Sequence, residues 1–221
     1  MEDWREVVRE AAYAASVAGM RARRDGGTFH YNYRWEHVQA VVRLAIRLAA
    51  LTGADPEVVE AAAWLHDVAK GQGADHGREG AQAARRILAE TGFPPHKAPA
   101  VAHAIAQHVG LWRKVPVEPL EAAVLWDADK LSKLGATAVL HFTANQADEG
   151  QGSTEALIEA LPGDEWQSRT VESLHTAPAR AAGEVRLAAY RAFCRRATRE
   201  YDGDDLVHNS TQHPNPGTSR A

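Results

Sequence analysis

Cysteine is nearly absent from this 221-residue chain, in which Cys194 is the only one. A single cysteine excludes an intrachain disulfide, so nothing in the sequence indicates an oxidising compartment. Long hydrophobic runs are absent as well. The N-terminus, MEDWREVVRE, carries mixed charge, and the apolar stretch AAYAASVAG is too short to cross a bilayer. We therefore expect a cytoplasmic protein without a membrane association.

An excess of positive charge is also lacking. The formal net charge is −4, and no block of lysines and arginines stands out. These features argue against a protein that coats nucleic acid. They leave room for a local pocket that binds an anion, because a bound metal ion would add positive charge that this count omits.

The composition that remains is typical of a soluble helical domain. Hydrophobic residues make up 45% and charged residues 24%, alanine is abundant, and β-branched runs are few. No internal repeat and no convincing strand is visible. The sequence predicts one all-α helical bundle over residues 1–201. Residues 202–221 mix Asp, Ser, Pro, Gly and His without periodicity and are predicted to form a disordered tail.

Hydrophobic periodicity and capping residues predict where the helices of the bundle begin and end. An amphipathic helix is predicted over residues 2–22, and a second over 35–51 that stops at Gly53. Asp55 and Pro56 suit the N-cap and first position of the next helix. Further helices are predicted over about 77–91, about 96–109, the segment after Pro119, the stretch LSKLGATAVLHF, and 176–201. Residues 146–168 are polar and predict a loop with one short helix at most.

Four side chains in these helices form a candidate metal site. His37 lies in RWEHVQAVVRLA, His66 and Asp67 lie in AAAWLHDVAK, and Asp127 lies in AVLWDADKL. Two neutral imidazoles and two carboxylates balance the charge of one divalent cation and leave coordination positions for water and a phosphate oxygen. Ligands from three helices can converge only inside a bundle. Each residue alone is weak evidence, but the set predicts a metal centre.

The chain resembles the small bacterial HD-domain hydrolases over about residues 30–145. The similarity rests, in order, on YRWEHV, AAAWLHDVAK, DHGREGAQAARRIL, HAIAQHVG and WDADKLSKLGA. The closing segment ESLHTAPARAAGEVRLAAYRAF is similar to the terminal helix of the nucleotide pyrophosphohydrolase subgroup. The resemblance implies an HD-type bundle whose metal ligands are His37, His66, Asp67 and Asp127. It also implies a nucleotide as substrate.

Four more histidines lie between the His66-Asp67 pair and Asp127. Three of them, His76, His103 and His108, lie in the motif segments, and some HD proteins hold a second metal with histidines in this part of the chain. His103 and His108 are five residues apart on a predicted helix, so their side chains diverge by roughly 140°. That divergence favours one metal ion, Mn²⁺ or Mg²⁺ first, with Co²⁺, Ni²⁺, Zn²⁺ and Fe²⁺ as alternatives. His76 is expected to contact phosphate or share a proton, with helix capping as the alternative.

Several side chains are candidates for handling a phosphorylated substrate. Asp67 could orient or deprotonate the attacking water, and Asp129, two residues past Asp127, points elsewhere on a helix and would orient a ligand or cap. Tyr31, Tyr33 and Trp35 flank His37 and could stack on a base or only pack the helix entry. The expected catalytic residues are Asp67, Lys70 and His76, and the expected substrate-binding residues are Arg34, Lys70, His76, His108 and Lys130.

The resulting hypothesis is a metal-dependent phosphohydrolase in which metal-activated water attacks a phosphoanhydride of a nucleotide or similar small molecule. Two alternatives stay open: a phosphomonoesterase or phosphodiesterase using the same site, and a metal-bearing module that senses nucleotides without turnover. The expected partner is a phosphorylated small molecule, and a homodimer also stays open.

Overall fold

The computed structural model describes residues 3–24, 27–71, 75–150 and 152–206. Within these ranges the chain is all-α, with no strand. The helices are α1 (Trp4–Arg23), α2 (Tyr33–Thr52), α3 (Pro56–Leu65), α4 (His76–Ala89), α5 (Ala98–Gln107), α6 (Leu120–Leu131), α7 (Ala136–Asp148), α8 (Thr154–Glu159), α9 (Asp164–Glu172) and α10 (Ala177–Asp202).

Capping side chains set the start of the helices that later carry the site. The Asn32 side chain accepts a hydrogen bond from the backbone N–H of Trp35 and opens α2. Asp55 accepts from the N–H groups of Glu57 and Val58, with Pro56 at the first position of α3. These bonds satisfy donors that a helix N-terminus otherwise leaves without partners. The predicted start of α3 is confirmed.

The short, apolar helix α3 lies at the centre of the bundle. It packs against α1, α2, α5 and α6, and its residues Ala61, Ala62, Ala63 and Leu65 are fully buried. Small alanines let four neighbours approach its surface closely. The end of α3, which carries His66, therefore lies inside the protein.

The segment over residues 146–168 holds more regular structure than the sequence predicted. It contains the end of α7, all of α8 and the start of α9. The sequence did not predict these helices because the segment is mostly polar. Helix α9 buries only one side, on which Gln167, Thr170 and Val171 face inward. Helix α10 covers α9, and the Tyr190 hydroxyl donates to the carbonyl of Pro162 at 2.6 Å.

The described part of the chain ends shortly after helix α10. Helix α10 extends to Asp202, and most of the predicted tail, residues 207–221, lies outside the described residues. None of the described helices combines the length and apolar character needed to cross a membrane.

Candidate metal centre

Three helices bring two imidazoles and a carboxylate together in the interior. His37 comes from α2, His66 follows the last residue of α3, and Asp129 comes from α6. The Nε2 atom of His37 lies 3.3 Å from Nε2 of His66 and 3.1 Å from Oδ1 of Asp129. All three residues are at least 97% buried. This trio is of the size and chemistry that a divalent cation requires.

The hydrogen bond of His66 fixes which nitrogen faces the trio. Its Nδ1 lies 2.8 Å from the carbonyl oxygen of Ala63, which can only accept, so Nδ1 carries the proton. Nε2 therefore presents a lone pair towards His37 and Asp129. Burial lowers the pKa of His66 to about 3, so the ring is neutral at physiological pH. A neutral imidazole aimed at a buried carboxylate is the arrangement that a metal ion fits.

The prediction that Asp127 belongs to the metal group is corrected to Asp129. Both carboxylate oxygens of Asp127 accept backbone hydrogen bonds, from His175 N–H at 2.8 Å and from Thr176 N–H at 2.7 Å. These bonds tie α6 to the start of α10. Two helix positions separate Asp127 from Asp129, which turns their side chains roughly 200° apart, so only one of them can face α2.

A second trio lies directly beside the first. Asp67, His76 and His108 each offer one ligand atom within 4.8 Å of the others. Asp67 joins the two trios, because its Oδ2 lies 3.7 Å from Nε2 of His66 while its Oδ1 lies 3.5 Å from Nε2 of His108. Like His66, His108 follows the last residue of its helix, and its Nδ1 lies 2.6 Å from the carbonyl oxygen of Ile105.

His103 takes no part in either trio. It is exposed, and its Nε2 contacts the carbonyl oxygen of Glu118 at 3.1 Å. The divergence of His103 and His108 is thus as expected. A different pair of histidines does come together, because His108 meets His76 across the α4–α5 contact, with ring centroids 5.5 Å apart.

Three lysines surround the two carboxylates. Lys70 Nζ lies 2.6 Å from Oδ2 of Asp67, whereas Lys130 and Lys133 each lie 2.7 Å from an oxygen of Asp129. Burial alone would raise the pKa of both aspartates, but the neighbouring positive and hydrogen-bonding groups hold both pKa values well below the usual range. Both carboxylates are therefore ionised and available as ligands.

The three lysines differ in how freely they can reach a substrate. Lys130 is buried, its Nζ also donates to the carbonyl of Gly110 at 2.7 Å, and it lies over the Trp126 ring at 4.2 Å. Lys70 and Lys133 are more accessible, with side chains 39% and 22% exposed. All three line a cleft of about 270 Å³ that also includes both trio aspartates and two of the histidines.

The segment before His37 is mainly occupied with packing. Tyr33 stacks on His141 with centroids 4.0 Å apart, and Trp35 stacks on Trp64 at 5.8 Å. Arg34 donates from Nη1 to the carbonyl oxygen of Lys70 at 2.7 Å, so it tethers the turn that follows His66 and Asp67. None of these rings lines the 270 Å³ cleft.

Sequence reasoning did not place Asp129 and Lys133 at this site. Nearly every residue of α6 after Glu121 is buried, so the periodicity of α6 gives no hint of which carboxylate faces α2. The only local signal is charge: Asp129 has lysines at the next and the fourth following positions, and Asp127 is preceded by apolar residues. A carboxylate flanked by cations is the better candidate for an ionised ligand.

Comparisons with known proteins agree with this architecture. The chain is similar to Bacillus subtilis YpgQ in complex with ADP, at 20% identity over 92% of this chain and 97% of that chain, with a TM-score of 0.65. A predicted HD superfamily hydrolase from an uncultured Thermotogales bacterium matches at 23% identity, covering 90% and 91%, with a TM-score of 0.59. An HD-superfamily hydrolase from Bacillus thuringiensis matches at 20% identity, covering 90% and 98%, with a TM-score of 0.61.

No curated protein matches the chain significantly. The solved structures share the fold along nearly their whole length, and a family model for the HD domain matches residues 34–134. That range starts just before His37 and ends just after Lys133, so it encloses both trios. Residues 34–134 therefore match the HD-domain family, and the solved structures show that the chain shares their fold.

Proposed function

We propose that this protein is a metal-dependent phosphohydrolase that cleaves a phosphoanhydride bond of a nucleotide. The observation that carries the proposal is a cleft lined by three lysines, by all three residues of the second trio and by Asp129 of the first. Of the six trio residues, His37, His66, Asp129 and Asp67 would hold a divalent ion. When bound, the ion would lower the pKa of a coordinated water and polarise a phosphoryl oxygen.

The charge of the cleft favours a substrate with several phosphates. Three lysines and one divalent ion contribute five positive charges, which two aspartates reduce to about three. A phosphomonoester, with about two negative charges, would leave part of this charge without a counterpart, whereas a nucleoside di- or triphosphate, with about three to four negative charges, would balance it. The similar YpgQ was crystallised with ADP, and this likeness supports a nucleotide ligand.

The remaining residues take roles that follow from their positions. Lys70 and Lys133 are partly exposed and can turn from their aspartates to phosphate oxygens once an ion binds those carboxylates. His76 and His108 line the same cleft and can contact phosphate there. Burial lowers the pKa of His76, so its ring is neutral and able to accept a proton. Lys130 holds Asp129 and the loop at Gly110 in place.

The test is hydrolysis of nucleoside mono-, di- and triphosphates with Mn²⁺ or Mg²⁺, with identification of the released species. We expect metal-dependent release of pyrophosphate or orthophosphate from a triphosphate, and loss of at least 100-fold in turnover for Asp67→Ala. The exposed Asp205→Ala serves as the matched control and should retain activity.

Other outcomes select the alternatives. Preferential hydrolysis of monophosphates or cyclic diesters would favour a phosphomonoesterase or phosphodiesterase. Thermal stabilisation by nucleotides without any product would favour a sensing module. One bound ion per chain would support His76 and His108 as phosphate contacts, and two would assign them to a second ion.

A further inference from the structure

The hydroxyl of Ser132 lies between two members of the first trio. Ser132 follows the last residue of α6 and is buried. Its Oγ lies 2.7 Å from the backbone carbonyl oxygen of Asp129 and 3.1 Å from Nδ1 of His37. It therefore contacts the side of the imidazole that faces away from His66 and from the Asp129 carboxylate.

The two distances assign the proton of this hydroxyl. A serine hydroxyl has one proton to donate, and the carbonyl oxygen of Asp129 can only accept. The shorter contact is therefore the one in which Ser132 donates. What remains for His37 is a lone pair on Oγ, which accepts a hydrogen bond from Nδ1–H. With its proton on Nδ1, His37 turns the lone pair of Nε2 towards the trio.

His37 needs this partner because of where it lies in its helix. His66 follows the last residue of α3, where the carbonyl of Ala63 is free to accept from Nδ1. His37 instead lies near the start of the 20-residue helix α2, where the carbonyls of its own turn are engaged in the helix. An acceptor for its Nδ1–H must come from another element, and α6 provides it.

We propose that Ser132 is a positioning residue that fixes the tautomer of His37 and thereby presents Nε2 to the cation. This inference rests on the proposed function, because it assumes that the trio is the metal site. It concerns a hydroxyl that the sequence motifs did not point to, and it links metal affinity to one hydrogen bond between α2 and α6.

Ser173 provides a matched control. It follows the last residue of α9 as Ser132 follows that of α6, it is equally buried, and its Oγ donates to the carbonyl of Thr170 at 2.9 Å. The two serines thus share burial, position and the same hydrogen bond to a preceding turn. They differ in that Ser132 also contacts a histidine, so Ser173→Ala reproduces every effect of Ser132→Ala except that contact.

The experiment combines two readouts on wild type, Ser132→Ala and Ser173→Ala. The tautomer of His37 is measured in metal-free protein from the ¹⁵N shifts of its ring nitrogens, and Mn²⁺ affinity is measured by titration calorimetry. We expect Nδ1–H in wild type and Ser173→Ala. In Ser132→Ala the proton should move to Nε2, where Asp129 can accept it, and Mn²⁺ should bind about 10- to 100-fold more weakly.

Three results would overturn the positioning role: an Nε2–H tautomer of His37 in the wild type, an unchanged tautomer in Ser132→Ala, or an unchanged Mn²⁺ affinity in that variant. An equal effect in Ser173→Ala would have the same consequence. If the wild type binds no Mn²⁺ at all while the tautomers behave as expected, the proposed metal site fails and the hydrogen-bond assignment stands.

Discussion

At the scale of single residues, the two carboxylates of the WDADKL segment have different tasks. Asp129 faces His37 and two lysines, whereas Asp127 accepts two backbone hydrogen bonds at the start of α10. One is a ligand candidate, and the other joins two helices. Two side chains of the same type thus have different roles because they point in different directions from α6.

This separation gives a prediction for the pair Asp129→Asn and Asp127→Asn. The first should weaken Mn²⁺ binding by at least 10-fold, because an amide is a poorer ligand than a carboxylate. The second should preserve Mn²⁺ affinity but lower the free energy of unfolding by about 1–3 kcal/mol, since the amide NH₂ group would face a backbone N–H. Calorimetry and urea unfolding measure the two effects, and the reverse pattern would restore Asp127 as the ligand.

At the scale of elements, the contact between α4 and α5 determines whether His76 meets His108. Gly77 makes this contact possible, because a Cβ at that position would lie 2.7 Å from Cγ2 of Val109 and 3.2 Å from the carbonyl oxygen of Ala106. The second of these is backbone and has little freedom to move. A side chain here must push the start of α4 away from the end of α5.

We therefore expect Gly77→Ala to destabilise the fold by about 1–3 kcal/mol, because overpacking forces backbone shifts. It should also weaken whatever His76 and His108 bind together, which phosphate titration or metal stoichiometry would show. Gly163→Ala is the control, since a Cβ there meets nothing within 4 Å. Equal stability of both variants would mean that the α4–α5 contact adapts without cost.

The sequence predicts those features of the helices that depend on neighbouring residues. Asp55-Pro56 and Gly53 mark the α2–α3 turn because capping is a property of neighbouring residues. The meeting of His76 with His108 has no such signal, because it depends on how two helices cross. For the same reason periodicity identified α6 but left open which of its aspartates faces α2. Helix positions were predictable, and the angles between helices were not.

At the scale of the whole molecule, buried neutral histidines make the fold sensitive to acid. His141 lies between Tyr33 and Tyr31, its Nδ1 2.7 Å from the Tyr31 hydroxyl. Burial, with smaller contributions from His37 and Lys133, lowers its pKa from 6.5 to about 4. Between these values the unfolded chain binds a proton at this ring and the folded chain does not. Stability is therefore present above pH 6.5 and lost as the pH falls towards 4.

For metal-free protein we expect this ring to account for about 2 kcal/mol of the decrease in unfolding free energy over that range. His141→Gln should flatten the pH dependence measured by urea unfolding at several pH values. His96→Gln, at an exposed position, should leave the slope unchanged. His66, with a pKa of about 3, contributes to the same decrease in stability. The pH dependence of His141→Gln should therefore be smaller than that of the wild type but not zero. A slope that is the same in wild type and His141→Gln would contradict the assignment.

The lysines that pair with Asp67 and Asp129 bear on whether the protein can fold before it binds a metal ion. Since Lys70, Lys130 and Lys133 already neutralise both carboxylates, the bundle can close around them before any cation arrives. A zinc finger, in contrast, stays unfolded until its metal binds. We therefore expect metal binding to follow folding in this chain. Any ion that binds would then have to displace these ammonium groups from the two carboxylates.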